Sequence, residues 1–338
     1  MILVTGGTGL VGAHLLYALL KKHPKVRATH RATSDLDAIK QVFSSYGDSR
    51  SFDRIQWVVA DITEIPALTD AFIGITRVYH CAAFISFNPK HLRPLRKINT
   101  EGTAHIVNLC LNNHIEKLCY VSSIATLSAK SDSSHIDEES DWNPEEDNGV
   151  YAITKYGAEM EVWRGVQEGL NAVIVNPGVI LGEGFWDTGS GTIVKNAARG
   201  VNYYTPGGTG FVDVLDVVKA IVMLMDSDIK NERYVLVGEN MYYKDVLSRL
   251  AYHFGNKAPT KKLGKGTLIF LSRLDAVRHS FFGGKRKLIR SMVNSLFTSS
   301  VYDSSKIERD LNFQFTPMDK TIKRVVENYS SSSKAVSD

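Results

Sequence analysis

Tyr151 and Lys155 stand four residues apart in Val150-Tyr-Ala-Ile-Thr-Lys155. On a helix that spacing puts both side chains on one face, one turn apart. A phenol with a pKa of about 10 is a weak acid–base catalyst at neutral pH. A close ammonium favours its phenolate by about 1–3 units. Tyr17 and Lys21 repeat the spacing on an earlier helical pattern and read as a surface pair, so context must decide. Tyr151 opens a helical pattern between two apolar runs, one ending at Ser122 and the other at Asn176. The first of these, Cys119-Tyr-Val-Ser-Ser123, delivers two hydroxyls to its end. Ser123 there can donate a hydrogen bond to a carbonyl oxygen gaining alkoxide character; either serine could equally cap the strand.

A second constellation lies at the start of the chain, in Thr5-Gly-Gly-Thr-Gly-Leu-Val-Gly12. Gly6 suits a tight turn, Gly9 lets the backbone approach a pyrophosphate, and Gly12 lets helix and strand pack closely. Thr8, Leu10 and Val11 complete the cradle, where a helix N-terminus offers free N–H groups to phosphate. Gly207-Gly-Thr-Gly210 repeats four of these letters without a preceding apolar run or a third glycine, and reads as a turn.

These sites need elements to hold them. Ile2–Thr5, Val26–His30, Ile55–Ala60, Arg77–Cys81, Lys117–Ser122 and Asn171–Asn176 read as strands. Helical patterns lie between them at Val11–Lys22, Asp35–Tyr46, Pro66–Phe72, His91–Asn113 and Val150–Glu168. The alternation predicts an α/β fold, a Rossmann-type doubly wound parallel sheet with its ligand site beyond the carboxyl ends of the strands. After Pro177 glycine-rich loops separate short elements, with helical patterns at Lys244–Phe254 and Pro317–Tyr329. The expected organisation is a dinucleotide-binding domain over 1–176, a smaller C-terminal substrate lobe over 177–330 interleaved with the sheet, and a disordered tail over 331–338.

A formal net charge of +4 with charges interleaved along 338 residues makes no case for nucleic acid. Three irregularly spaced cysteines, Cys81, Cys110 and Cys119, form neither a disulfide framework nor a zinc motif. No metal site is expected. Reduced thiols, the absence of a basic leader and no apolar stretch near ~18 residues point to a cytoplasmic protein. The longest such stretch, Val212 to Met225, is broken by Asp213, Asp216 and Lys219.

Taken together, the glycine triad, the Tyr151/Lys155 pair and the Ser122-Ser123 strand end resemble the extended short-chain dehydrogenase/reductases. Asp61-Ile62, His80-Cys-Ala-Ala83, Asn99-Thr-Glu-Gly-Thr103 and Pro177 fall in the matching order, and the likeness spans roughly residues 1–250. The resemblance implies that Tyr151 gives or takes the proton, that Lys155 holds the nicotinamide ribose, and that Ser123 polarises the carbonyl, with Ser122 and Thr126 as lesser candidates. It places Asp61 and Ile62 beside the adenine, Cys81, Ala82, Ala83 and Val121 along the dinucleotide, and Pro177 and Val179 near the carboxamide. Asn99 is open between a functional and a capping role. Where an NAD-preferring site commonly carries an acidic residue, this chain has His30 and Arg31. A guanidinium suits a 2′-phosphate, so NADP is the expected cofactor, with NAD second.

Within the family the chain resembles the dihydroflavonol-reductase-like and 3β-hydroxysteroid-dehydrogenase-like branch, through Val26–Arg31, His80–Phe87, Asn176–Gly182 and Gly210–Asp216. Sugar-nucleotide epimerases and dehydratases usually carry arginine ahead of the Asn176 position and before the Val212-Asp213 position, and dehydratases an Asp-Glu pair where Ile124-Ala125 stands. The expected activity is reduction of a small-molecule ketone or aldehyde, or oxidation of the matching alcohol. Phe84, Ser86, Phe87, Ser123 and Phe185 would line the substrate. Nucleotide-sugar epimerisation is the alternative, and a non-catalytic dinucleotide sensor the second. The family also implies a homodimer. The basic segment Lys265–Ser300 carries three readings: a substrate lid, a membrane-surface contact, or, preferred, a packed lobe.

Overall fold

Seven strands form one wholly parallel sheet: β1 Ile2–Thr5, β2 Val26–His30, β3 Ile55–Val59, β4 Arg77–His80, β5 Lys117–Val121, β6 Ala172–Pro177 and β7 Glu232–Leu236. Their spatial order is 3-2-1-4-5-6-7. In this computed structural model residues 1–129, 135–282 and 290–335 are described. Side chains alternate between the two faces of each strand, and the central strands are apolar at consecutive positions because both faces are covered. Ile2, Val4, Tyr79, Cys119, Val173 and Val175 enter one core; Leu3, Val78, Leu118, Tyr120, Ala172 and Ile174 enter the other.

On the first face pack α1 Leu10–Leu20, α2 Asp37–Ser45 and α6 Val214–Asp226, through Leu15, Leu16, Val42, Phe43, Val217 and Ile221. On the second lie α3 Ile65–Phe72, α4 Gly102–Asn112 and α5 Val150–Gln167, through Leu68, Ile106, Val107, Ala158 and Val162. Strands 1–6 sit where the apolar runs predict them.

The structure departs from expectation in four places. The helical pattern at His91–Asn113 is divided: a helical turn at Leu92–Leu95 passes through a π-helical segment, Arg96–Glu101, before α4 begins. Gly207–Gly210 does not make a turn; its last three residues open the strand Gly208–Asp213, central in a three-stranded sheet between Val179–Leu181 and Glu239–Tyr242. The glycines serve close packing, since a Cβ on Gly210 would lie 2.5 Å from the Val237 side chain. β7 closes the main sheet from a segment with no strand expectation. At the other end of the lobe, the C-terminal helix runs Met318–Ala335, past the expected boundary at 330. Only residues 336–338 of the expected tail lie outside the described residues.

Among the described residues no helix is long and apolar enough to cross a membrane. Within the basic segment, the helix Lys265–Phe282 buries Leu268 and Ser272 on one side and exposes Phe270, Leu271 and Leu274 on the other. The Lys285–Lys287 cluster lies outside the described residues.

Candidate active site

The turn from β1 into α1 is built on glycines for three separate reasons. Gly6 has φ +71°, and a Cβ there would stand 2.5 Å from the Ala82 backbone nitrogen. A Cβ on Gly12 would overlap the Gly6 carbonyl oxygen and lie 2.8 Å from Gly7 Cα. Gly9 differs: its Cβ would meet only the Gly6 carbonyl oxygen, at 3.5 Å. No protein atom explains a glycine at that position, and its open side is where a closely approaching ligand would sit. Gly9 is also the N-cap of α1 and provides no side-chain cap, so the N–H groups of Leu10, Val11 and Gly12 remain free for an anion. The cradle fits the pyrophosphate of a dinucleotide.

The other expected cofactor residues surround this cradle on the carboxyl ends of the strands. His30 and Arg31 end β2; the imidazole packs edge-on against Trp57 and its Nδ1 lies 2.9 Å from the Arg31 carbonyl, while Arg31 itself is exposed. Asp61 follows β3 and accepts from the Thr63 amide and hydroxyl at 2.9 and 2.8 Å, and Ile62 is buried beside Gly102. Cys81 and Ala82 follow β4 and are half-buried, and Ala83 is exposed. Pro177 ends β6, and Val179 opens the short strand Val179–Leu181.

His80 is structural. Thr103 gives its hydroxyl proton to the Asn99 carbonyl, so His80 Nε2 donates to Thr103 Oγ1 at 3.0 Å and Nδ1 accepts from Thr5 Oγ1 at 2.6 Å. Burial, with the nearby Lys155 charge, holds its pKa down at about 3, so the ring is neutral.

Ser123, Tyr151 and Lys155 converge where β5 ends and α5 begins. Ser123 caps the short 3₁₀ turn Ile124–Thr126, its Oγ accepting from the Ala125 amide at 3.1 Å, and its hydroxyl is near enough to Tyr151 to oppose the effect of burial on the phenol. Ser122 and Thr126 are committed elsewhere, both donating to Glu159 Oε2, at 2.6 and 2.9 Å. Among the three hydroxyls, Ser123 is therefore the one at the tyrosine.

Lys155 is buried, and its Nζ donates to Tyr120 Oη at 2.6 Å and to the Val121 carbonyl at 2.8 Å. Here the geometry corrects the reading from spacing. Burial pushes the Tyr151 phenol up to about 12, opposed by the Ser123 hydrogen bond, because the ammonium is turned onto Tyr120 and Val121. Burial pulls Lys155 itself down to about 7, against the Glu159 charge.

Three residues at this site, Tyr120, Glu159 and Arg233, carry no role from sequence, and Asn99 is open there between two. Tyr120 seats the ammonium. Glu159 and Arg233 form a buried pair beneath the serines, with Arg233 Nη1 3.3 Å from Glu159 Oε1. Asn99, buried on the π-helical segment, clamps the Phe84 backbone through bonds of 2.7 and 3.0 Å. Asn99 opens the Asn99-Thr-Glu-Gly-Thr103 motif that helps carry the family resemblance, and π segments often mark functional sites.

Of the expected substrate walls, Phe87 is set against the Tyr151 ring, with centroids 5.7 Å apart. Phe84 is half-buried beside His91, and Ser86 Oγ lies 2.8 Å from His91 Nδ1. Phe185 is packed instead against the core of α1 and α2, because Gly184 brings its loop onto Val42.

A phosphate cradle at the head of a Rossmann sheet, with Ser, Tyr and Lys gathered two strands away at the end of β5, defines an oxidoreductase that acts on CH–OH or C=O groups. The chain belongs to the NAD dependent epimerase/dehydratase family, which its residues 2–238 match. It is 32% identical over 264 residues to a putative dihydroflavonol 4-reductase of Synechocystis sp., covering 76% of this chain and 73% of that protein. It is likewise 32% identical over 263 residues to sterol demethylase protein B of Methylococcus capsulatus, covering 76% and 75%. The crystal structure of gox2253 superposes over 98% of both chains with a TM-score of 0.80 at 26% identity.

Proposed function

We propose that this chain reduces a mostly apolar ketone or aldehyde, or oxidises the matching alcohol, using NADPH or NADP. The observation that carries the reading is the convergence of Ser123, Tyr151 and Lys155 at one strand end, beside the glycine cradle. A nicotinamide dinucleotide, when bound, supplies or accepts hydride. Ser123 Oγ donates a hydrogen bond to the substrate oxygen and stabilises the alkoxide character it gains. Tyr151, with a phenol at about 12, is protonated at neutral pH and gives its proton to that oxygen. Lys155 fixes Tyr120 and Val121, leaving one N–H for the ribose.

The apolar substrate class follows from the walls. Phe87 and Phe84 flank the site, and no arginine stands in Val173–Val175 directly ahead of Asn176 or between Thr205 and Val212, where a diphosphate would need cationic partners. The relatives named for dihydroflavonol reduction and sterol demethylation agree with that direction. The exposed guanidinium of Arg31 supports the 2′-phosphate, and the exposed Ile153 and Met160 of α5 support a homodimer through α4 and α5.

Tyr151→Phe tests the mechanism: turnover should fall about 10²–10⁴-fold while NADPH binding persists. Near-wild-type turnover would remove Tyr151 from the chemistry. Thermal shifts with cofactor present, comparing aromatic and alicyclic ketones with uridine- and thymidine-diphosphate sugars, test the substrate class. Saturable stabilisation by a nucleotide sugar, coupled to epimerised product, would replace this reading with epimerisation.

A further inference from the structure

Glu159 follows Tyr151 and Lys155 on the same face of α5, at i+8. Its side chain is fully buried. Oε2 accepts from Ser122 Oγ at 2.6 Å, Thr126 Oγ1 at 2.9 Å and Asn176 Nδ2 at 3.0 Å, and Oε1 faces Arg233 Nη1 at 3.3 Å. A buried carboxylate is costly to desolvate, and an apolar side chain would pack α5 on the sheet without that cost. A role beyond packing is therefore needed to account for it.

The donors indicate what that role is. Asn176 Nδ2, held by Glu159, also donates to the Ser123 carbonyl at 3.1 Å, and Thr126 Oγ1, whose proton goes to Glu159, stands 2.9 Å from that carbonyl. Ser122, the preceding residue, is held directly. The carboxylate thus pins the chain on both sides of Ser123 and leaves the Ser123 hydroxyl free to face Tyr151.

The charge distribution points the same way. Lys155 is faced by Tyr120 from β5, by His80 and Cys81 at the end of β4, and by Glu159 on its own helix, where Tyr151 stands one turn earlier; Arg233 of β7 is the cation paired with Glu159. His80 is neutral at about 3, and burial pushes the Cys81 thiol up to about 12. Tyr120 and Tyr151 are likewise held protonated by burial. Among these neighbours Glu159, ion-paired with Arg233, is the one carboxylate.

We propose that Glu159 is a positioning residue of this site, whose carboxylate fixes the Ser122–Ser123 strand end and acts as the buried counter-charge that keeps Lys155 an ammonium. The proposal rests on reading Ser123, Tyr151 and Lys155 as the catalytic set. Burial already brings Lys155 down to about 7, with Glu159 the leading influence holding it up. Removing that charge should lower it by about one further unit, the low end for an opposite charge nearby. At pH 7 the protonated fraction would then drop about five-fold.

The test is NMR titration of protein labelled with ¹³C at lysine Cε, with the Lys155 signal identified by its loss in Lys155→Met. The wild-type midpoint should lie near 7, about one unit lower in Glu159→Gln and near the wild-type value in Glu159→Asp. An unchanged midpoint in a Glu159→Gln variant of wild-type circular dichroism overturns the proposal. Should that variant not fold, Arg233→Gln carries the opposite sign: freeing Glu159 of its counter-ion should raise the Lys155 midpoint, and an unchanged or lowered value overturns the proposal. Ketone turnover by Lys155→Met and Tyr151→Phe reports separately on the catalytic set. Loss of turnover there with an unmoved midpoint in Glu159→Gln defeats only the positioning role, whereas full turnover there defeats the catalytic reading.

Discussion

Two of the cradle glycines, Gly9 and Gly12, make opposite predictions, which alanine substitution can separate. In Gly12→Ala the new methyl overlaps the Gly6 carbonyl and reaches 2.8 Å from Gly7 Cα. Both obstacles are backbone in a tight turn, so neither yields cheaply, and overpacking of this kind costs about 1–3 kcal/mol. Gly9→Ala places its methyl 3.5 Å from the Gly6 oxygen, an ordinary contact, at φ −100° and ψ 173°, which alanine adopts freely. That variant should fold as well as wild type, or gain about 0.4–1 kcal/mol through a less mobile unfolded chain. Its methyl would nonetheless stand where the pyrophosphate approaches. The same overpacking range applied to the ligand gives about 5- to 150-fold weaker binding. Differential scanning fluorimetry and NADPH fluorescence titration read the two effects independently. Wild-type NADPH affinity in Gly9→Ala would show that the open side of the turn is not the phosphate seat. An unshifted melting temperature in Gly12→Ala would refute the packing argument.

Arg31→Ala should shrink the preference for NADPH over NADH by about 1.5–3 kcal/mol, the range for a charged hydrogen bond; equal affinities in the wild type by calorimetry would remove Arg31 from cofactor choice. A separate network joins α1 to the C-terminal helix: Arg324 reaches Asp213 at 2.7 and 2.8 Å and also binds Glu183, and Glu183 Oε2 makes a poorly aligned contact of 3.4 Å with His14 Nε2. Arg324→Met leaves two buried carboxylates without their cation and should destabilise the fold by about 3–5 kcal/mol by chemical denaturation. Burial raises Glu183, but its His14 and Arg324 partners outweigh this and hold it at about 2, below its ordinary 4.5. Because its folded value is depressed, its contribution is complete above about pH 4.5 and is lost as pH falls towards 2. Melting temperatures recorded across that window should fall more steeply in wild type than in Glu183→Gln.

The nucleotide half of the fold was legible because its signals are local. β1 to β6 are runs of β-branched and apolar residues buried on both faces, and the Gly6–Gly12 turn announces its own geometry. β7 was not, because Glu232 and Arg233 open it with charge and its burial depends on pairing with β6, distant in sequence. Gly208 and Gly210 read as a turn for the same reason: what makes them glycine is a close approach by residues 237–242. At the site, spacing brought Tyr151 and Lys155 onto one face but could not show where the ammonium points. Tyr120, which seats it, looked like any apolar strand residue. Glu159 lay in plain view one turn on, but its importance comes from Ser122, Thr126, Asn176 and Arg233, contributed by three other stretches of chain.

The lateness of β7 also bears on how the chain is made. During synthesis the first six strands emerge with β6 as an open edge, and it stays open until Glu232–Leu236 leaves the ribosome. One face of the nascent sheet is meanwhile missing α6, which supplies Val217, Ile221 and Leu224 to its core. An unpaired apolar strand beside uncovered core is a template for self-association. A gene fragment ending near Pro177 should therefore aggregate on expression, whereas the full chain stays dispersed.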